Sequence, residues 1–309
     1  MIKRLLISFL FVLVLAHGVK ADNDNWTLYP SYHNATYCQV VGDKVYVLAS
    51  GALYSYDMSD SEVRTYNKIT TLNDINITHI RYSSFINALV VVYKNANIDI
   101  LYDDGSVYNI TDFKNKVLPE KTINNINIQG NTAYLSTSFG VVVLDLENME
   151  FENTYNLGLD TYCAYLYNGF LYAGTKSGFY CCDATKNLLD KNNWQQIYNE
   201  YVMTSLCELG GKLYCQIKNL GLYTFTHNPK RLYPVVYNEG EAYHTMYRLG
   251  NEIIAPAKNK LSVISDDKNV VTYKNSGSNH VVKDGDIFWD CNGYNGLVEC
   301  KVKDEVLVP

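Results

Sequence analysis

Four lysines, Lys94, Lys176, Lys218 and Lys258, stand at matching places in a repeated pattern, each in the turn between two short alternating runs. Equivalent turn positions of a repeated unit share a face, so the four are expected to form a local cationic ring on a chain whose formal charge is -6. Such a ring would draw an anion. Exposed charge contacts contribute about 0.2 to 1 kcal/mol each, and four give roughly 1 to 4 kcal/mol. Tight binding therefore needs aromatic or hydrogen-bond contacts in addition, and Tyr294, in the corresponding turn of the last repeat, is the expected contributor. The competing reading is that Lys-Asn and Lys-Ser are ordinary turn pairs.

Other chemistry is poorly supported. The sequence contains no GxSxG elbow and no HExxH zinc helix. His33, His79, His227, His244 and His280 share no spacing and read as surface or strand-end residues. Asp103-Asp104 and Asp266-Asp267 fall in tight turns, where Asp is favoured for backbone reasons. Neither is followed by the alternating oxygen ligands of a calcium loop. The cysteines, Cys38, Cys163, Cys181, Cys182, Cys207, Cys215, Cys291 and Cys300, have strand spacing without a CxxC pair, and are expected to be small buried apolar residues. In Cys181-Cys182 the two side chains must point to opposite faces of one strand. No metal, no cofactor and no catalytic residue is expected, and the chain is read as a non-enzyme. Carboxylates brought together from different repeats, as in a propeller glycosidase or lyase, remain the enzymatic alternative.

The elements that position these residues are hairpins. The stretch Asn168 to Asp183, NGFLYAGTKSGFYCCD, reads as strand, polar turn and strand, and the pattern returns from Gly42, Ile86, Gly130, Gly210, Gly250 and Asp284. A spacing of about 35 to 45 residues is that of propeller blades. The expected fold is all-β, a single seven-bladed β-propeller over residues 22–309, each blade made of an inner strand, the hairpin and an outer strand. Inner strands are expected to open near Thr36, Ile77, Ile123, Thr161, Met203, Ala242 and Ser278. Trp26 to Tyr32 and Glu305 to Val308 are expected to share a blade and close the ring, since an open ring leaves unpaired edges. Lys186 to Asn193 is expected to be a short turn or helical insertion. The chain has 28 tyrosines, many at alternating strand positions, suited to packing one blade on the next.

Met1 to Ala21 reads as a secretory signal, with Lys3 and Arg4, an apolar run from Leu5 to Ala16, and Val19-Lys20-Ala21 placed for cleavage. Its removal loses three cations and takes the formal charge from -6 to -9. An acidic body of this kind is not a general nucleic-acid binder. No later apolar run has the length of a transmembrane helix, and no Cys follows the cleavage site to carry lipid. The product is expected to be exported, to the periplasm or the outer cell surface, as a monomer or part of a hetero-complex. Four Asn-x-Thr sequons, at Asn25, Asn34, Asn76 and Asn109, are read as chance in an Asn-rich chain.

The runs from Tyr66 to Asn115 and from Ile123 to Asp145, above all NANIDIL and STSFGVVVLD, resemble the amino-terminal propeller of the PorZ family, a type IX secretion component of Bacteroidota. The likeness covers nearly all of the chain after the signal, best over residues 26 to 160. The LNDxxITHI segment at Leu72 also resembles the blade junction of two-component-regulator propellers. The resemblance implies a binding or assembly module in protein export, with secretion-system proteins or anionic lipopolysaccharide as partners. The alternative it leaves is a periplasmic ligand-sensing propeller. PorZ-like proteins are similar to two propellers in tandem followed by a carboxy-terminal domain, whereas this sequence reaches Pro309 after one expected ring, as a short homologue or the front part of a split reading frame would.

Overall fold

Alternation of apolar and polar residues over short runs, broken by Gly, Asn and Asp, has one stable outcome here, the antiparallel meander. The computed structural model describes residues 31–118, 120–237, 243–275 and 277–309. The expected signal, most of the Trp26 to Tyr32 segment and the sequon at Asn25 lie outside the described residues.

Among the described residues twenty-eight strands follow one another. The first unit is β1 to β4 (Ala35–Val41, Lys44–Ala49, Ala52–Asp57, Val63–Tyr66), and the second β5 to β8 (Ile77–Ser83, Ala88–Tyr93, Ile98–Tyr102, Val107–Ile110). The third is β9 to β12 (Ile123–Gln129, Thr132–Thr137, Gly140–Asp145, Glu150–Asn156) and the fourth β13 to β16 (Thr161–Tyr167, Phe170–Thr175, Gly178–Asp183, Gln195–Tyr198). The fifth is β17 to β20 (Met203–Leu209, Lys212–Ile217, Gly221–Thr226, Arg231–Tyr237). The sixth is β21 to β24 (Tyr247–Leu249, Glu252–Pro256, Lys260–Ile264, Val270–Lys274), followed by β25 to β28 (His280–Asp284, Ile287–Cys291, Leu297–Lys303, Val306–Val308).

The architecture is all-β and propeller-like, and its sheets depart from the expected count. The first five units are separate four-stranded sheets, but the last eight strands form one sheet in the order β21-β22-β23-β24-β28-β27-β26-β25. The two meanders join at their outer strands, through the parallel pair Lys274↔Val306 and a hydrogen bond of 2.9 Å from Lys274 N to Glu305 O. The cause is local. Asp304 and Glu305 take positive φ, which turns the three-residue β28 back towards β24.

First strands of successive units lie side by side, and β1 returns to β25 and β26. That last contact carries Ala35 paired with Gly293, a bond of 2.8 Å from Asn279 Nδ2 to Ala35 O, and one shared core of Cys38, Val45, Val47, Trp289 and Cys291. The other cores likewise lie between neighbouring units, and the buried rings of Tyr46, Tyr93, Tyr134, Tyr172 and Tyr214 fill them. Cys181 joins one such core and Cys182 the next, as their alternation requires. All eight cysteines are free and buried. Burial pushes the Cys163 and Cys207 thiols up to about 12, which removes the thiolate that reactivity needs.

Two short helical pieces interrupt the pattern. A 3-10 turn at Lys191–Asn193 falls within the expected insertion, capped by Asp190 accepting from Asn192 N. An unexpected α1 (Asp112–Asn115) buries Phe113 against Phe139 and Phe151 of the third unit.

Candidate binding face and axial channel

The lysine turns are built alike. The backbone N–H just past the second strand of a unit donates to the carbonyl just before its first strand: Lys94 N to Asn76 O at 2.9 Å, Lys176 N to Asp160 O at 2.8 Å, Lys218 N to Val202 O at 2.9 Å. The same bond joins Ser50 to Asn34 and Ser138 to Thr122. Lys94, Lys176 and Lys218 thus hold one structural position in three units. Lys258 stands one residue further past its strand, after Ala257, and its carbonyl accepts from Ser278 N at 3.1 Å.

In the fourth unit the reason for the turn is visible. Thr175 Oγ1 donates to Gly178 O at 3.0 Å and accepts from Ser177 N at 3.1 Å, folding the chain tightly at Lys176. Gly178 has φ +122°, and a Cβ there would lie 2.1 Å from Tyr198 O. Only glycine fits this approach.

All four lysines are exposed, and among the described residues none makes an ion pair. Tyr294 is 83% exposed in the turn between β26 and β27. Of these five residues, Lys218 lines a hollow of about 260 Å³ with Tyr162, Thr204, Gln216 and Tyr243.

The larger feature is axial, and the sequence reading missed it. Strands β5, β9, β13, β17 and β21 all contribute to one cavity of about 290 Å³, whose lining includes Arg81, Asn125, Asn127, Ser205 and Arg248. A second, of about 280 Å³, lies among residues of the first, fifth, sixth and last units. Among the described residues no carboxylate lines either cavity.

Of the histidines expected at the surface or at strand ends, His33 is exposed, His227 directly follows β19 and His280 opens β25, whereas His79 lies within β5. His280 is 3% exposed, with Tyr37 edge-on at 4.1 Å and Tyr247 stacked at 5.7 Å. His79 Nε2 lies 2.9 Å from Asn124 O, and His244 Nε2 lies 3.0 Å from Ser278 O. His227 stacks on Phe170 at 4.0 Å and meets Tyr172 Oη at 2.9 Å. Arg81 reaches over the Tyr37 ring at 4.4 Å. Burial first, and the Arg81 charge second, hold His79 down at about 4 and His280 well below the ordinary imidazole range. Both are neutral at physiological pH. Period-two placement of His79 and Arg81 on one inner strand was the available signal, but it shows nothing until the strands are arranged around a common space.

The acidic turns are structural. Asp104 Oδ1 accepts from Ser106 N at 2.8 Å, and Asp266 Oδ1 from Lys268 N at 2.8 Å. Asp57, Asp145 and Asp183 accept in the same way from the residue two places on. The sequon at Asn109 is also committed, its Nδ2 donating to Asp99 Oδ1 at 2.7 Å. Among the described residues no group of three His, Cys, Asp or Glu side chains is placed to hold a metal ion.

Residues 45–195 match the family model of the PorZ N-terminal β-propeller domain of the type IX secretion system. The match starts later and runs further than the region of best likeness expected from the residues. No curated protein matches the sequence. Among solved structures, PorZ of Porphyromonas gingivalis, an essential bacterial surface component of its type IX secretion system, superposes with a TM-score of 0.79 at 22% identity. That superposition covers 92% of this chain and 39% of PorZ, so the chain spans about two fifths of PorZ's length. The extracellular domain of a Bacteroides thetaiotaomicron protein described as a hybrid two component system gives 0.67 at 13% identity, covering 87% of this chain and 40% of that one. Residues 45–195 therefore carry the sequence pattern of a PorZ N-terminal β-propeller domain, within a chain that has the PorZ fold over almost its whole length.

Proposed function

We propose that this chain is an exported, non-catalytic β-propeller that serves as a binding or assembly module of type IX secretion and recognises anionic lipopolysaccharide. The observation that carries the reading is the match of residues 45–195 to the PorZ propeller domain, with likeness in fold to PorZ itself. The body is read as one domain over residues 22–309, preceded by a signal over 1–21. Counting the joined sheet as two blades gives seven, and the packing of β1 on β25 and β26 supports a closed ring. Among the described residues the two axial cavities are lined without carboxylates, which favours binding over glycoside chemistry.

The turn lysines are the proposed first contact for the anion, with Tyr294 as an aromatic neighbour. Their exposure leaves them able to pair with phosphate or carboxylate, and their equivalent turns favour one common face. Secretion-system proteins are the proposed macromolecular partners, and the location is the periplasm or the outer surface.

A second reading, a ligand-sensing propeller, is favoured by the likeness to the two-component extracellular domain. Deleting the gene separates the two. The first reading expects cargo export to fail and to return with the wild-type gene, but not with the gene carrying all four Lys→Ala changes. Intact export with altered transcription of neighbouring genes would support the sensor instead.

A further inference from the structure

We propose that the axial cavity between the inner strands of the first, fifth, sixth and last units is a binding site for a neutral sugar residue. This goes beyond the lysine-borne recognition of an anion and does not rest on it.

Three polar atoms at this cavity are buried without a partner: both ring nitrogens of His280 and Oε1 of Gln216. Each residue is 3% exposed, and both line the cavity. The orientation of the Gln216 amide follows from its other end, since Nε2 donates to Tyr243 O at 3.0 Å and leaves Oε1 as the unmatched acceptor. A neutral imidazole offers one N–H donor and one acceptor nitrogen. The unmatched set is therefore two acceptors and one donor. Buried polar groups are ordinarily satisfied, and a concentration of exceptions at one hollow calls for an occupant.

The chemistry of that occupant follows by elimination. Among the described residues lining the cavity none is Lys, Arg, Asp or Glu. An anion has only acceptors to offer, so it would leave both acceptors of the wall unmatched. An ammonium group would enter against the charge of Arg81, which lies over the Tyr37 ring on the same wall. Hydroxyl groups donate and accept at once, and Thr36, Thr204 and Thr245 line the same space to meet further ones. Tyr37 supplies an aromatic face of the kind that sugar C–H groups pack against.

The volume of about 280 Å³ is close to the lower end of small-molecule sites, about 300 Å³. It exceeds what one or two waters fill, at about 30 Å³ each. Thr204 and Gln216 also line the adjoining hollow of about 260 Å³ that Lys218 edges, so a second residue of a glycan has somewhere to continue.

The test is ligand-observed saturation-transfer NMR on the purified protein with glucose, galactose, mannose, rhamnose and N-acetylglucosamine as separate probes. At least one is expected to show transfer, unchanged within about twofold between 0.1 and 1 M NaCl because no charge is paired. The variant with Lys94, Lys176 and Lys258 all changed to Ala should bind the same sugar equally. Gln216→Leu and His280→Phe should each weaken it by about tenfold, the equivalent of one buried hydrogen bond. Should either variant fail to fold by circular dichroism, Thr204→Val gives the same test from the rim. No transfer from any of the five sugars, with a crystal structure showing ordered water alone on His280 and Gln216, would overturn the site. So would binding that survives these changes. A failure of lysine-dependent lipopolysaccharide binding would leave the sugar site standing, and the reverse also holds.

Discussion

Asn73 holds Asp99 with two hydrogen bonds, from its backbone N–H to Oδ2 at 2.8 Å and from its side-chain Nδ2 to Oδ1 at 3.0 Å. Asp99 is fully buried on β7, and Tyr93 Oη and Asn109 Nδ2 complete its shell at 2.5 and 2.7 Å. The neighbouring Asp74 accepts from Asn95 at 2.6 Å and from Lys114 at 2.8 Å. Leu72 fills the core between the first two units. The Leu-Asn-Asp segment is thus a clasp that ties the entry of the second unit to its own hairpin and to α1.

Removing the clasp should be costly. A buried carboxylate with four donors stabilises only as a complete set, and Asp99→Ala leaves Tyr93 Oη without its acceptor, while Asn109 Nδ2 keeps Asn97 Oδ1 and Ile98 O. The expected loss is about 3 kcal/mol, with about 1.5 to 3 kcal/mol for Tyr93→Phe, which deletes one hydrogen bond to a charge. Urea unfolding followed by tryptophan fluorescence measures both. A change under 0.5 kcal/mol in Asp99→Ala would remove the clasp as a stabilising element.

Stability should fall with acid in two stages. Burial, with the Arg81 charge behind it, lowers His79 from 6.5 to about 4 and holds His280 well below the ordinary imidazole range. The unfolded chain therefore binds more protons below pH 6.5, and stability present above that pH is lost as pH falls towards 4. For His79 this is on the order of 2 kcal/mol. The charges facing these rings are Arg81 for both and His244 for His280. Asp74 behaves in the carboxylate sense: burial would raise it, but hydrogen bonds from Asn95 and Lys114 outweigh burial and hold it at about 2. Its contribution is present above pH 4 and lost between 4 and 2. Melting temperature against pH should be flat from 7 to 8 and decline below 6.5, less steeply in His79→Gln. A flat profile down to pH 4 would contradict the buried, neutral histidines.

Gly174 marks the tightest contact between the fourth and fifth units. A Cβ there would lie 2.3 Å from Met203 O and 2.6 Å from Cys163 Sγ. Gly174→Ala should cost about 1 to 3 kcal/mol by overpacking, read as a shift in denaturation midpoint. Gly169→Ala is not a clean control, since Gly169 has φ +76°. Ala173→Gly, on the same strand but in the next core, separates packing from strand propensity.

Much of the fold was legible because strand identity is local. The second unit was expected as an inner strand opening near Ile77 and a hairpin from Ile86, and its strands are Ile77–Ser83, Ala88–Tyr93, Ile98–Tyr102 and Val107–Ile110. The acidic turns and the lysine turns were legible for the same reason, since each is settled within a few residues. The axial site was not, because Tyr37, Gln216 and His280 line one cavity only through the packing of distant units. The joining of β24 to β28 escaped as well, since it depends on one bridge between residues 32 apart and on two non-glycine residues at positive φ. The helix at Asp112–Asn115 is too short for periodicity to reveal.

Binding of anionic lipopolysaccharide to the purified protein, titrated at 0.1 M and at 1 M NaCl, tests the central claim most directly. Screening falls from about 10 Å to about 3 Å over that range, so contacts made by exposed Lys94, Lys176, Lys218 and Lys258 should weaken steeply. The variant with all four changed to Ala should bind weakly at both concentrations. Equal affinity of the two proteins under all conditions, or no binding by either, would contradict the account.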